Sequence, residues 1–191
     1  MILLIKFCNF RNKTQKAIKM IGKNIYLRAL EPEDLEEIYL WENDSELWIH
    51  NSSLTPFSQY ILKKYIANSS EDIYSSKQLR LIITEKSNDK AIGTIDLYEF
   101  NPQHQRAGIG ILIYDKEKRK KGYASESLEL IIDFCKNRLN LKNLFCNILS
   151  ENIDSKNLFI SNSFKLIGTK KQWVYANKSW HDEELYFLNL K

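Results

Sequence analysis

The sequence predicts a mixed α/β (α+β) fold in which strands and helices alternate within one domain. Residues 109–114 (IGILIY) are mostly branched or aromatic, as in a buried strand. From Ala124 to Leu139, apolar residues recur at steps of three and four, which indicates a helix with one buried face. The chain has 191 residues, 43% of them apolar and 27% charged, and this balance is typical of a globular domain with one core.

The remaining elements follow from apolar runs and the turn residues between them. Pro32 and the acidic residues after it mark the start of the first helix. Strands are predicted at residues 24–29, 79–86, 90–98, 105–114 and 143–149, with a final hairpin at 164–190. Helices are predicted at residues 33–43, 58–68, 122–139 and 153–162. We expect residues 1–19 to be an N-terminal extension, either loosely ordered or dependent on where translation starts, and residues 20–191 to form the single domain.

A short basic turn, RKKGYA at residues 119–124, joins the strand at 105–114 to the helix at 122–139. A helix that begins near Gly122 points unpaired N–H groups and the positive end of its dipole at this turn, and glycine lets a ligand approach the backbone. The turn therefore has the chemistry of a phosphate site, although its charges alone would also suit a solvated turn.

The spacing excludes two common phosphate-binding loops. The chain has no GxxxxGK[ST] motif, and GIG at residues 108–110 lacks the third glycine of a dinucleotide fingerprint. The pattern Arg-x-x-Gly-x-Ala between strand and helix instead resembles the acyl-CoA pyrophosphate loop of the GCN5-related N-acetyltransferases, the GNAT superfamily.

The resemblance covers about residues 20–190. It is strongest to the bacterial branch that holds ribosomal-protein N-terminal acetyltransferases and spermidine or diamine N-acetyltransferases. The other segments that carry it, in family order, are NIYLRALEPEDL (24–35), IGTIDL (92–97), RAGIG (106–110), the asparagine-marked helix from NIDS (152–155), and YANKSWHD (175–182). It implies a GNAT fold, with a mixed central sheet of about seven strands splayed between the fourth and fifth and about four flanking helices.

The resemblance also implies acetyl-CoA as co-substrate and no metal. Backbone groups of Ile111, Leu112 and Ile113 would pair with the pantetheine arm as an added strand would. Asn152 would contact that arm, cap the helix that follows it, or do both. Phe159, in the same helix, would lie at the cofactor site. The pyrophosphate would be held by backbone N–H groups of Arg119, Lys120, Lys121, Gly122, Tyr123 and Ala124.

The family's reaction is direct attack of an amine on the acetyl thioester, and two departures affect its proton transfers. Many relatives have a glutamate before the Ile-Gly step of the fourth strand, where this chain has Gly108. Asp96 and Glu99 are the carboxylates that could replace it as general base, and for Asp96 the alternative is a strand residue that faces solvent. Many relatives also have a tyrosine that protonates the leaving thiolate, where this chain has Phe159.

The acceptor pocket is expected between residues 41–57 and the final hairpin. Trp41 and Trp48 could hold an apolar body or pack against a cation, and Glu42 could attract a basic amine. A protein N-terminus and a polyamine or other small amine are rival acceptors.

We therefore expect an acetyl-CoA-dependent N-acetyltransferase that acts on a primary amine. An acyl-CoA-binding sensor with little transferase activity is the alternative, since both departures weaken the usual acid–base set. A dispersed net charge of +4 gives no basic stripe for nucleic acid, and no apolar run approaches the roughly 20 residues of a membrane span. Three cysteines without a CxxC pair suit a reducing cytoplasm. We expect neither nucleic acid nor membrane as a partner, and homo-oligomer formation remains open.

Overall fold

The structure is a computed structural model that describes residues 20–51, 55–69 and 71–191. The predicted N-terminal extension, residues 1–19, lies outside the described residues. The strands are β1 (Met20–Ile21), β2 (Ile25–Ala29), β3 (Leu79–Glu85), β4 (Lys90–Asn101), β5 (Arg106–Ile113), β6 (Asn143–Leu149), β7 (Lys165–Ala176) and β8 (Ser179–Asn189). The helices are α1 (Leu35–Glu42), α2 (Trp48–Asn51), α3 (Gln59–Asn68), α4 (Ile73–Ser76), α5 (Tyr123–Asn137) and α6 (Ile153–Ser161).

All eight strands form one sheet in the order β1-β2-β3-β4-β5-β6-β8-β7. Neighbouring strands are antiparallel except β5 and β6, which are parallel and joined by a crossover through α5. The parallel pair is short, because its register runs only from Arg106 opposite Asn143 to Gly108 opposite Phe145. Beyond those residues β5 and β6 diverge. These are the predicted fourth and fifth strands, which β1 shifts by one in number, so the predicted splay is confirmed.

Helices cover both faces of the sheet, and the strand residues alternate between them. Leu81 and Ile83 pack in the cluster that contains Leu128 and Ile131 of α5. Ile82, between them in sequence, packs instead in the cluster that α1 and α3 form on the other face. This follows from the period of two in a strand, which sends successive side chains to opposite faces.

The predicted elements are confirmed, and the sequence missed three short ones. The structure has β1, α2 and α4 in addition to the predicted strands and helices. These elements contain two to four residues each, which is too short for a periodic apolar pattern. No helix in the described residues is long and apolar enough to cross a membrane.

Candidate active site

A cleft of about 770 Å³ opens where β5 and β6 diverge. Its walls are residues 109–113 of β5, residues 146–149 of β6, the loop before α5, and one side of α6. This volume is within the range of about 300–1,000 Å³ that is typical of small-molecule sites. The splay therefore creates a site large enough for an extended ligand.

The β5 wall presents backbone groups to the cleft. Beyond Gly108, the described pairing of β5 is with β4, and only alternate residues of an antiparallel pair bond to a given neighbour. The other backbone groups of this stretch face the gap, and Ile111, Leu112 and Ile113 all line it. One group is already used, because Arg119 Nε donates to the Ile113 carbonyl at 2.9 Å. Contact of this edge with pantetheine stays a prediction.

The loop before α5 has a left-handed backbone at two positions, Lys120 with φ 59° and Gly122 with φ 86°. A larger residue at Gly122 would be strained because of this positive φ. Its Cβ would meet no atom within 4 Å, so its side chain would project into the open mouth of the cleft. The first backbone bond of α5 runs from Glu126 N–H to the Gly122 carbonyl at 3.0 Å. The N–H groups of the three residues between them precede the helical ladder, which makes them available to an anion.

A buried carboxylate that the sequence analysis missed fixes both ends of this loop. Glu85, at the end of β3, accepts Lys118 Nζ at 2.7 Å and the Tyr123 hydroxyl at 2.6 Å. Asn88 donates to the same carboxylate at 3.0 Å. The Lys118 bond, then the Tyr123 bond, lower the pKa of Glu85 to about 2 despite its burial. The loop geometry therefore depends on a charged Glu85.

The basic residues of the loop differ in their placement. Arg119 lines the cleft but directs its guanidinium to the backbone of β5, and Lys120 lines the cleft and lies 3.6 Å from Asp154 of α6. Both partners of the second contact are largely exposed, so it adds little stability. Lys121 is exposed and does not line the cleft. The side chain of Lys121 is therefore not part of the site, although its backbone belongs to the loop.

Two predicted residues of α6 border the cleft. Asn152 caps the helix, since its side-chain oxygen accepts the Ser155 N–H at 3.1 Å, and it also lines the cleft. The cap was one of the two predicted roles. Phe159 lines the cleft, is only 3% exposed, and packs edge-on against Phe164 with ring centroids 5.0 Å apart. It offers no proton to a leaving group.

A second, smaller cavity of about 70 Å³ lies on the α1 side of the sheet. Three β5 residues, Gly110, Ile111 and Leu112, line both cavities. The remaining lining residues of the small cavity are Trp41, Glu42, Arg80, Thr94 and Asp96. The middle of β5 is therefore a wall that the two cavities share.

Arg80 of β3 links the two carboxylates of the small cavity. Its Nε donates to Asp96 Oδ1 at 2.7 Å, its Nη2 donates to Asp96 Oδ2 at 3.1 Å, and its Nη1 donates to Glu42 Oε1. Burial by itself would lower the pKa of Arg80, but Asp96 outweighs burial and raises the pKa above its usual value. Arg80 is therefore a permanent cation, and both oxygens of Asp96 accept a hydrogen bond from it.

The structure separates Glu99 and Trp48 from the other predicted site residues. Glu99 is exposed, has φ 49° at an irregularity in the β4–β5 pairing, and lines neither cavity. Trp48 is half-buried and donates Nε1–H to the Glu42 carbonyl at 3.0 Å, so it supports the turn after α1. Its neighbours Leu47 and Ile49 line the large cleft in its place. Trp41 does line the small cavity and stacks on Tyr114 at 5.8 Å.

Tyr98 of the neighbouring strand β4 fills the space beside Gly108, where many relatives have a glutamate. Gly108 pairs with Tyr98 of β4, and a Cβ on Gly108 would lie 2.2 Å from the Tyr98 ring. Burial raises the pKa of Tyr98 well above its usual value, so its phenol stays neutral. A side chain at position 108 is thus excluded by packing as long as Tyr98 is present.

The comparison with known families agrees with this geometry. Residues 24–165 match the family model described as the acetyltransferase (GNAT) domain. The chain belongs to the GNAT acetyltransferase family. It is an enzyme of the N-acetyltransferase class.

Relatives with similar sequences are named as N-acetyltransferases, and one of them acts on spermidine. The probable N-acetyltransferase YjcK of Bacillus subtilis is 25% identical over 169 residues, which are 86% of this chain and 93% of the relative. The spermidine N(1)-acetyltransferase of Vibrio cholerae is 24% identical over 175 residues, which are 90% and 96% of the two chains.

Solved structures share the fold. A structure of spermidine N-acetyltransferase from Vibrio cholerae, in complex with CoA and spermine, superposes with a TM-score of 0.80 at 22% identity, covering 88% of this chain and 97% of that one. The ribosomal-protein-S5-alanine acetyltransferase from Vibrio fischeri has a TM-score of 0.78 at 18% identity, covering 91% and 97%.

Proposed function

We propose that this protein transfers the acetyl group of acetyl-CoA to a primary amine by direct attack on the thioester. The observation that carries the proposal is that a large cleft and a small cavity share Gly110, Ile111 and Leu112 of β5 as lining residues. A thioester in the cleft and an amine in the small cavity would approach each other there. Holding two reactants in such a geometry can contribute up to about 7–11 kcal/mol.

The cleft supports acetyl-CoA as the donor. The backbone of residues 111–113 would take the pantetheine arm as an added strand, and the N–H groups at the start of α5 would take the pyrophosphate. The side chains of Arg119 and Lys120 supply positive charge beside them. The structure of the Vibrio cholerae relative with CoA supports this donor.

The surroundings of the amine favour an acceptor that loses its proton easily. Position 108 has no carboxylate, and both oxygens of Asp96 accept bonds from Arg80. Deprotonation at pH 7 costs about 1–1.5 kcal/mol for an α-amino group and about 4–5 kcal/mol for an alkylamine. We therefore propose an α-amino group as the preferred acceptor, with a polyamine as the rival. A base role for Asp96 stays a prediction.

The leaving group does not require an acid at this site. Phe159 has no proton to donate, and a thiol with a pKa of about 8.5 leaves as thiolate at a cost of about 2 kcal/mol at pH 7. Transfer is thus feasible without the tyrosine of many relatives, at a lower rate.

The proposal is tested by following thiol release from acetyl-CoA with three acceptors. The first is a peptide with a free α-amine. The second is a peptide whose α-amine is blocked and which contains a lysine, and the third is spermidine. We expect turnover with the first and a mass increase of one acetyl group at its N-terminus. Tight acetyl-CoA binding without turnover on any amine would overturn the transferase proposal in favour of a sensor.

We also propose a cytoplasmic location and self-association. Cys135 and Cys146 are free and buried, which suits a reducing compartment. The edge strand β7 and the start of β8 expose several large apolar side chains, which are Leu166, Ile167, Trp173, Tyr175 and Trp180. An exposed edge strand of this kind can pair with a strand of another chain. A structure of the Vibrio cholerae spermidine N-acetyltransferase is dodecameric.

A further inference from the structure

We propose that Arg80 sets the charge of the amine that the acceptor site admits. This inference rests on the proposed function, since it treats the small cavity as the place where the acceptor amine binds. Arg80 would act as a specificity-determining residue by occupying two carboxylates that would otherwise be free to bind cations.

The guanidinium is held on several sides by different elements. Asp96 of β4 accepts from two of its nitrogens, Glu42 at the end of α1 accepts from the third, and the ring centroid of Tyr65 in α3 lies 5.5 Å from its central carbon. The exposed fractions of the three charged side chains are 22% for Arg80, 25% for Asp96 and 16% for Glu42. They therefore interact strongly and are only partly screened by water.

This charged group borders the path to the thioester. Asp96 is directly opposite Gly110 in the β4–β5 register, and a Cβ on Gly110 would meet no atom within 4 Å. The small cavity thus opens toward β5 beside Asp96 and Arg80. An amine bound in this cavity would lie beside the residues of the guanidinium and of both carboxylates, since all three line it.

The charges in this cavity favour an acceptor with one positive charge. Glu42 and Asp96 contribute −2 and Arg80 contributes +1, which leaves −1. One ammonium is compensated by that charge, and a second ammonium on the same ligand meets only the guanidinium. Without Arg80 the cavity would carry −2 and would attract a doubly charged amine. Specificity would therefore come from a repulsive group as well as from the attractive carboxylates.

The test compares two peptide amides with the same α-amine, Ala-Ala-Ala, which carries one positive charge, and Ala-Lys-Ala, which carries two. For the wild-type protein and for Arg80→Gln, we measure kcat/KM with acetyl-CoA and, by calorimetry, the Kd of each peptide in the presence of CoA. We expect the Arg80→Gln variant to shift the ratio of the two peptides about tenfold or more toward the doubly charged one, chiefly through KM and Kd.

Two further variants change the charge of the cavity by known steps. Arg80→Met combined with Asp96→Asn restores −1, so we expect the peptide preference of the wild type to return. If Arg80→Gln does not fold, the double variant still tests the proposal. It removes the Asp96 carboxylate together with the guanidinium that pairs with it, so neither charge of that pair is left alone. Arg80→Lys keeps the charge and should keep the preference.

The matched control is Arg28→Gln. Arg28 also holds an aspartate with two bonds, both 2.6 Å long, to Asp34, but it lines neither cavity. We expect it to lose stability without a change in the peptide ratio. An unchanged ratio in folded Arg80→Gln would overturn the role of Arg80. Absence of turnover in the wild type, with both acetyl-CoA and the peptides bound and discriminated, would instead overturn the proposed transfer.

Discussion

At the scale of single residues, the contacts of Asp96 decide how its predicted base role can be tested. Its two oxygens accept from Nε and Nη2 of Arg80, so a substitution there changes both a proton acceptor and the charge of the small cavity. We expect Asp96→Asn to slow transfer at pH 7 and to leave the Kd of acetyl-CoA unchanged, because Asp96 does not line the large cleft.

The pH profile of Asp96→Asn separates the two roles. A lost base would be recovered in kcat as the pH approaches the pKa of the acceptor amine, whereas a lost charge would appear as a raised acceptor KM at all pH values. The matched control is Asn101→Asp or Glu99→Gln on the same strand, away from both cavities. A kcat and an acceptor KM equal to those of the wild type would eliminate Asp96 from both roles.

The packing of Tyr98 against Gly108 predicts that a side chain at position 108 destabilises the protein. Replacing it with glutamate would place a side chain within the Tyr98 ring, and overpacking of this kind destabilises a core by about 1–3 kcal/mol. We expect Gly108→Glu to lower the free energy of unfolding in urea by that amount, and we expect Tyr98→Gly in the same chain to recover part of the loss. If Gly108→Glu has wild-type stability, then Tyr98 does not fill the space as described.

At the scale of elements, sequence patterns predicted what depends on local periodicity. The long apolar repeat of α5 and the branched residues of β5 are both regular, so their bounds and the loop between them could be predicted. Arg80 and Glu85 could not, since each reaches its charged partners through strand pairing and helix packing that join residues 16 to 38 positions apart. A charged residue inside an apolar strand such as β3 is the signal that would have drawn attention to both.

The loop before α5 and the end of β3 form a unit whose stability depends on pH. The pKa of Glu85 in the folded protein is about 2, below the usual value of about 4.3, so its contribution is complete above about pH 4.3 and is lost as the pH falls toward 2. Glu85→Gln removes the charge that holds Lys118 and should cost about 1–3 kcal/mol.

Urea unfolding of the wild type and of Glu85→Gln between pH 2 and pH 6 tests this prediction. We expect the difference between the two proteins to shrink as the pH falls, and the variant to bind acetyl-CoA more weakly at pH 7 because its loop is held less firmly. A difference in unfolding free energy that stays constant down to pH 2 would show that the ion pair does not stabilise the fold.

At the scale of the whole molecule, the order of elements and the splay between β5 and β6 followed from the family resemblance, and the acceptor site did not. The chain departs from many relatives at Gly108 and Phe159, and the groups around the small cavity come from β3, β4, β5 and α1. Their meeting is a property of the folded sheet, and no single segment of sequence contains it.

We predict that the protein self-associates through the exposed edge of β7. A monomer has a mass of 22.6 kDa, and we expect sedimentation velocity to give a larger particle at micromolar concentration. Trp173→Asp places a charge on the exposed edge of β7, where the indole is 60% exposed, and should shift the protein toward the monomer without loss of its fold. Tyr60→Asp, equally exposed but on α3, is the control. A monomeric wild type would contradict the proposed edge contact.

Calorimetric titration of the wild-type protein and of Gly122→Gln with acetyl-CoA tests whether the cleft between β5 and β6 binds the cofactor. We expect saturable binding to the wild type in roughly the micromolar range, about −8 kcal/mol. We expect folded Gly122→Gln, whose new side chain would occupy the open mouth at the start of α5, to bind at least about tenfold more weakly. No binding by the folded wild type, or equal affinity in the two proteins, would contradict the assignment of the cleft.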